Sequence, residues 1–389
     1  MPSVQLRRHQ RGNIVVIGGS YAGTKAVELV ATRMHPTHRT ILVEPHSHFH
    51  HLYALPRYSV VHGFEHRAFI PYSAMFKDLP PDATEIVQSR VTAIYPDRVE
   101  LDCGEPISYE YLIIATGTCS APPSTLNTKG KADGIAFLQR HQRRVERANN
   151  IVVVGGGAVG VQLATDIKDY YSSKSVTLVH SRSRVMHKFH PKLHDLISAR
   201  AEELGVNMVL NERVKVPTDG FPDDGSEFDV ELSGGSRLRA DLVIRATGHT
   251  PVFPPLRMLA PECITSDGFI SVRPTLQLAN TAFPNVFAIG DVADTKNQKA
   301  ARRAVQHAHV VAENITRLAT GISDATLSEY SQVPWRICIS LGLTRELHFS
   351  DPVTEVGDPQ WRLSDEGYIG GSSLKMWRRK APGVEDYYI

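Results

Sequence analysis

Glycines recur at two places in this chain with the spacing that lets backbone amides close on a pyrophosphate. Gly18-Gly19-Ser20-Tyr21-Ala22-Gly23 follows the β-rich run Asn13 to Ile17, and Gly155-Gly156-Gly157-Ala158-Val159-Gly160 follows Asn150 to Val154. A phosphate held at a strand-to-helix turn needs N–H groups at close range and a helix N-terminus aimed at it, and only small residues leave that room. Gly18 permits the tight turn and Gly23 lets the helix lie on the strand. Ser20 stands where G-x-G-x-x-G normally has its middle glycine, whereas Gly155-x-Gly157-x-x-Gly160 matches completely. A glycine turn that serves packing alone would look similar. Here strand, turn, helix and second strand follow in order both times, which points to dinucleotide binding.

The residue closing each second strand separates the two turns. Glu44 ends the strand Thr40 to Val43, 21 residues after Gly23, and is placed to accept hydrogen bonds from adenosine ribose hydroxyls. The strand Ser175 to Val179 runs instead into His180-Ser181-Arg182-Ser183-Arg184, with no acid. A carboxylate would repel a 2′-phosphate, and an arginine can pair with one. The second turn is therefore expected to take NADPH at least as readily as NADH, with Arg182 and Arg184 on the phosphate. The alternative is that both arginines decorate a solvated loop. Further on, Asn285-Val286-Phe287-Ala288-Ile289-Gly290-Asp291 places an acid after a strand and a glycine, fit to meet a flavin's ribityl hydroxyl or phosphate, or to cap a helix before Val292.

These residues imply two strand–turn–helix–strand units. A second pair punctuates them: Tyr111 to Gly117 and Asp241 to Gly248 each read as a buried strand ending in Ala-Thr-Gly. The expected fold is α/β, with two Rossmann-like domains, the second inserted in a discontinuous first. The boundaries fall at 1–119 and 246–322 for the first, 120–245 for the second, and 323–389 for a smaller C-terminal α+β interface domain. Thr218 to Gly235, rich in Asp, Gly and Ser, reads as a hairpin or surface loop. Alternation around Trp335 to Ile339 reads as strand.

Composition excludes several classes. With 43 Lys+Arg against 41 Asp+Glu in 389 residues, net charge is +2, and no clustered basic footprint for nucleic acid stands out. The four cysteines (Cys103, Cys119, Cys263, Cys338) are far apart, which argues against a disulfide framework, a zinc motif and a dithiol centre. Apolar runs are strand-length, so no integral membrane segment is expected. Met1-Pro2-Ser3 lacks the glycine that N-myristoylation needs, and Arg7, Arg8 and Arg11 read as a disordered lead-in. His46, His48, His50 and His51 crowd together without a familiar metal spacing, and no metal is expected. His307 and His309 fall on a helix expected near the flavin, in a tuning or a packing role.

Two dinucleotide turns, two Ala-Thr-Gly strand ends and Ala-Ile-Gly-Asp together resemble the pyridine nucleotide–disulphide oxidoreductase superfamily. Ser47-His48-Phe49-His50-His51, Phe69-Ile70-Pro71-Tyr72-Ser73 and Val176 to Ser181 are similar to its apoptosis-inducing-factor-like branch, which includes the ferroptosis suppressors. The resemblance implies FAD on the first turn (Gly18, Gly19, Ser20, Tyr21, Ala22, Gly23, Glu44), joined by Arg57, Val91, Thr116, Gly117 and Asp291. NADPH or NADH would lie on Gly155, Gly157 and Gly160. It also implies hydride transfer to flavin and onward transfer to a quinone or similar small acceptor. A small metabolite of a specialised biosynthetic pathway is the alternative substrate, and a signalling flavoprotein the alternative class. Gln162 stands where the branch commonly has a Glu near the rings, and Lys375 is a second candidate near the ring or acceptor. Cys119 lacks the partner a disulfide relay would use. A homodimer is left open. A cytoplasmic setting is expected, with a mitochondrial or membrane-peripheral one left open.

Overall fold

The structure is a computed structural model that describes residues 11–252, 255–322, 326–351, 360–363 and 368–388. Arg7 and Arg8 of the basic lead-in, and Ser323 at the expected start of the C-terminal domain, lie outside the described residues. By contacts the chain divides into two compact units: Met1–Ser47, Tyr72–Thr118 and Thr250–Gln332 form one, and His48–Pro71, Cys119–His249 and Val333–Ile389 form the other.

The first unit is built on a five-stranded parallel sheet ordered Val286–Ala288, Tyr111–Ile114, Gly12–Ile17, His38–Val43, Thr84–Val87. Strands buried on both faces must be apolar throughout, which is why they read as unbroken Ile/Val/Leu runs. Ile14, Val15, Val16, Leu42, Leu112 and Ile113 are all fully buried. The helices Tyr21–Met34 and Ala301–Ala319 pack on each other. Register decides what the sheet can present. Ile17 pairs with both Val43 and Ile114, and Ile114 with Ala288, so the carboxyl ends of four strands finish along one edge. The residues just beyond those ends are the first glycine turn, Glu44, Thr116–Gly117 and the turn holding Asp291.

The second unit repeats the plan with a four-stranded parallel sheet, ordered Asn207–Leu210, Ser175–His180, Asn150–Val154, Leu242–Arg245. The helices Ala158–Tyr170 and Pro191–Leu204 supply Leu163, Ala164, Ile167 and Ile197 to its core, and Leu341, Leu347 and Phe349 join the same cluster. The expected hairpin is present but starts later: Phe228–Glu231 pairs antiparallel with Arg237–Ala240, while 218–225 is exposed loop. Trp335–Ser340, Arg345–Asp351 and Gln360–Leu363 form an antiparallel sheet, followed by the helix Tyr368–Lys380. The α/β architecture with two parallel sheets is the one the sequence implies. No described helix is long and apolar enough to cross a membrane.

Candidate dinucleotide sites

At the first turn, Gly18 has φ +101°, and a methyl group there would stand 2.6 Å from the Ala115 carbonyl oxygen. A methyl on Gly23 would stand 1.7 Å from the Gly18 carbonyl oxygen, so the helix can seat only on a glycine. That helix begins after Ser20 with no side-chain cap and no acid in its first turn. Its positive end is thus left for an anion rather than neutralised by a carboxylate of its own.

Glu44 is buried against this turn. Its carboxylate accepts from the Gly19 amide at 2.5 Å and the His46 amide at 3.0 Å, and it also bonds the His46 ring. These bonds fix both oxygens beside the turn, where they retain lone pairs for ribose hydroxyls. Tyr72 closes the other side by donating its hydroxyl to the Gly19 carbonyl at 2.7 Å. Burial, with the Glu44 charge second, raises the Tyr72 pKa well above that of an ordinary phenol, so it stays a donor. A side chain on Gly19 would strike this hydroxyl. Nothing in the glycine spacing announced Tyr72. Its signal was the Phe-Ile-Pro-Tyr segment, and its role depends on a contact 53 residues away.

Thr116 donates to the Val252 carbonyl at 3.2 Å, and Gly117, at φ +68°, accepts from the Val252 amide at 3.0 Å. Asp291 lies inside the 3₁₀ turn Gly290–Val292 rather than at its cap, which Ile289 occupies. His307 accounts for that turn, because its Nδ1 accepts from the Gly290 amide at 3.2 Å. Burial lowers the His307 pKa to about 4, helped by Lys299 and Arg303, so the ring is neutral and able to accept. Of the two roles weighed for it, the geometry shows the positioning one. Val91 is buried in the apolar core of this unit. Arg57 belongs to the second unit. Its Nε and Nη2 fork onto Asp166 at 2.9 and 2.8 Å, and Nη2 also reaches the Gly342 carbonyl at 2.8 Å.

The second turn reproduces the first. Gly155 has φ +121°, and a methyl on Gly160 would stand 1.8 Å from the Gly155 carbonyl oxygen. Gly157 precedes the helix Ala158–Tyr170, again with no side-chain cap and no acid in its first turn. The Gly156 amide donates to His180 Nδ1 at 3.0 Å. His180 therefore does for Gly156 what Glu44 does for Gly19, from the same strand-end position, with a neutral ring in place of a carboxylate. Burial lowers the His180 pKa, and His187, Arg182 and Arg213 lower it further. His187 is lowered by its own desolvation and then by Arg182, Lys188 and Arg184. The neighbourhood is uniformly cationic, and Arg182 and Arg184 make no ion pair among the described residues. Gln162 is turned toward the C-terminal sheet, donating to Ser340 Oγ at 2.8 Å. Lys375 is exposed on the helix Tyr368–Lys380.

The model of the pyridine nucleotide-disulphide oxidoreductase family matches residues 12–312. The chain belongs to this family. With two dinucleotide folds in one chain, it is an FAD-dependent NAD(P)H oxidoreductase. This oxidoreductase is 34% identical over 410 aligned residues to Fe-regulated protein 8 of Mycosarcoma maydis, covering 99% of each chain. It is 31% identical to ferroptosis suppressor protein 1 of Taeniopygia guttata, over 85% of this chain and 86% of that one. Among solved structures, the sulfide:quinone oxidoreductase of Aquifex aeolicus superposes with a TM-score of 0.72 at 17% identity, over 95% of this chain and 91% of that one, and shares the fold.

Proposed function

We propose that this oxidoreductase draws electrons from NADPH, with NADH as the weaker donor, through FAD to a quinone or quinone-like small acceptor. The observation that carries the donor side is the exchange of Glu44 for His180 at equivalent places. One turn presents a fixed carboxylate to a ribose diol, the other a cationic, acid-free rim. FAD would rest on the first turn, with Glu44, Thr116, Gly117 and Asp291 at the carboxyl edge of its sheet. The nicotinamide nucleotide would rest on Gly155, Gly157 and Gly160. The vacant cap positions of both helices and the methyl-sized clearances at Gly18, Gly23 and Gly160 support that fit. When bound, FAD supplies hydride acceptance and onward electron transfer, chemistry that belongs to the cofactor. The chain's own residues bind, orient and hold charge.

The acceptor side rests on the cysteines. No disulfide joins any of the four, with Cys103 and Cys338 exposed, Cys263 buried and Cys119 between. No dithiol among the described residues stands ready to relay electrons, so an acceptor that takes them directly from the cofactor suits this chain. Quinones are such acceptors, and the Aquifex protein is by name a sulfide:quinone oxidoreductase. The division into a discontinuous FAD domain (1–119 and 246–322), a nucleotide domain (120–245) and a C-terminal interface domain (323–389) belongs to this reading. So do Gln162 and Lys375 as residues on the acceptor or nicotinamide side.

Anaerobic mixing with NADPH should bleach the flavin band, and a short-chain quinone added next should restore it in a catalytic cycle. Bleaching that only a disulfide substrate reverses would overturn the acceptor assignment. A flavin that NADPH leaves oxidised would overturn the donor assignment.

A further inference from the structure

The sequence spacing offered no metal motif, yet the C-terminal sheet assembles one group of donors that the dinucleotide chemistry does not use. Cys338 on the strand Trp335–Ser340 pairs in register with His348 on Arg345–Asp351, and Glu346 lies two residues before His348. Side chains two apart on a strand share a face, and directly opposed residues share it too. The other face carries Ile339, Leu347 and Phe349 into the core, so the three polar residues project away from it. Their donor atoms all lie within 4.8 Å of one another. Cys338 Sγ is 2.7 Å from Glu346 Oε1 and 3.7 Å from His348 Nε2, and that imidazole nitrogen is hydrogen-bonded to the same carboxylate oxygen.

We propose that Cys338, Glu346 and His348 form a binding site for a borderline divalent transition metal, zinc above all, with a fourth position open to solvent or an external ligand. Thiolate, imidazole and carboxylate are the three donor types zinc takes, and three protein ligands with one open position is an established zinc geometry. Zinc–ligand lengths of ~2.0–2.3 Å set tetrahedral donors roughly 3.3–3.6 Å apart. The Sγ–Nε2 separation already has that span, and the Sγ–Oε1 separation need open by less than ~1 Å, within rotation of exposed side chains. Binding exchanges the thiol proton for the cation and releases it to solvent. Cys338 is exposed, which gives the ion an entry path. All three ligands lie within 11 residues on adjacent strands, so the site needs no rearrangement of the backbone. No earlier step in the flavin reading requires it, and it stands or falls separately.

Calorimetric titration of the flavin-loaded protein with zinc chloride tests it, alongside iodoacetamide labelling of Cys338 read on its peptide by mass spectrometry. The wild type should show one saturable site per chain, and zinc should slow Cys338 labelling by about tenfold or more. Cys338→Ala and His348→Ala should each weaken zinc binding by at least the roughly 10–100-fold that even an outer partner of a metal ligand is worth. Cys103→Ala, which alters an exposed thiol in the other unit, should leave the titration unchanged. Flavin content per chain checks that the variants fold, and the labelling arm needs no variant. A wild type without a saturable site, variants that titrate like it, or Cys338 labelling indifferent to zinc would overturn the proposal.

Discussion

Glu44 uses one carboxylate to hold two backbone amides and a histidine ring, so its geometry is set before any ligand arrives. Glu44→Gln keeps one acceptor oxygen and turns an NH₂ group toward a donor. Leaving a buried N–H without an acceptor costs about 1–3 kcal/mol, and the ribose contact is lost with it. FAD retention should fall by roughly tenfold or more, since each 1.4 kcal/mol is a factor of ten. Fluorescence titration of the deflavinated protein with FAD measures this, and an unchanged constant would remove Glu44 from the adenosine site. Arg182 and Arg184 provide the matching test in the second unit. An arginine–phosphate contact is worth about 1.5–3 kcal/mol. The double change to alanine should therefore raise the NADPH constant roughly tenfold and leave the NADH constant nearly alone. Equal losses for both nucleotides would assign the arginines to the surface.

Two β-turn-α elements of near-identical construction allow each to serve as the control for the other. A methyl group on Gly160 collides with the Gly155 carbonyl at 1.8 Å, and one on Gly23 collides with Gly18 at 1.7 Å. Each contact is with backbone, which cannot swing away, so the helix start must move and carry its amides with it. Gly160→Ala should abolish most NADPH-driven flavin bleaching while the protein purifies fully yellow. Gly23→Ala should instead lose FAD. Absorbance spectra before and after NADPH distinguish them, and a Gly160→Ala protein that bleaches at the wild-type rate would show that the second turn does not hold the nucleotide. These elements were legible in the sequence because each is local: an apolar run, small residues at fixed offsets, a strand end some twenty residues on. What escaped notice has partners distant in sequence. Tyr72 meets Gly19 across 53 residues, Gln162 meets Ser340 across 178, and Arg57 meets Asp166 across 109. Arg57 shows the consequence. The family resemblance gives it a cofactor contact, whereas the described geometry commits most of its guanidinium to an ion pair that no spacing rule announces. The Cys338, Glu346 and His348 group was hidden for the same reason, since strand pairing and not sequence interval brings them together.

For the molecule as a whole, the buried histidines make acid stability a property that both units share. His307 in the first unit and His51 and His141 in the second each have a pKa lowered from 6.5 to about 4, with burial the leading cause. Their hydrogen bonds fit neutral rings: His307 Nδ1 accepts from the Gly290 amide, and His141 Nδ1 bonds the Ser59 carbonyl at 2.9 Å. Above pH 6.5 folded and unfolded chains both hold these rings neutral, and the contribution to stability is complete. As pH falls from 6.5 toward 4, the unfolded chain takes up protons that the folded one refuses, and stability is lost across that window. At about 1.4 kcal/mol per pKa unit, one such ring accounts for roughly 3 kcal/mol, a large share of the 5–15 kcal/mol typical of a folded domain. The melting temperature should therefore decline steeply between pH 6.5 and 4. His307→Asn keeps an acceptor near the Nδ1 position and His141→Asn a donor, and neither amide titrates there. Each substitution should flatten the decline, His307→Asn most visibly in flavin release, because Gly290 neighbours Asp291. Thermal unfolding followed by flavin fluorescence at half-unit pH steps measures both. Slopes identical to wild type in both variants would mean that these rings charge without penalty, and the acid lability would have to come from carboxylates.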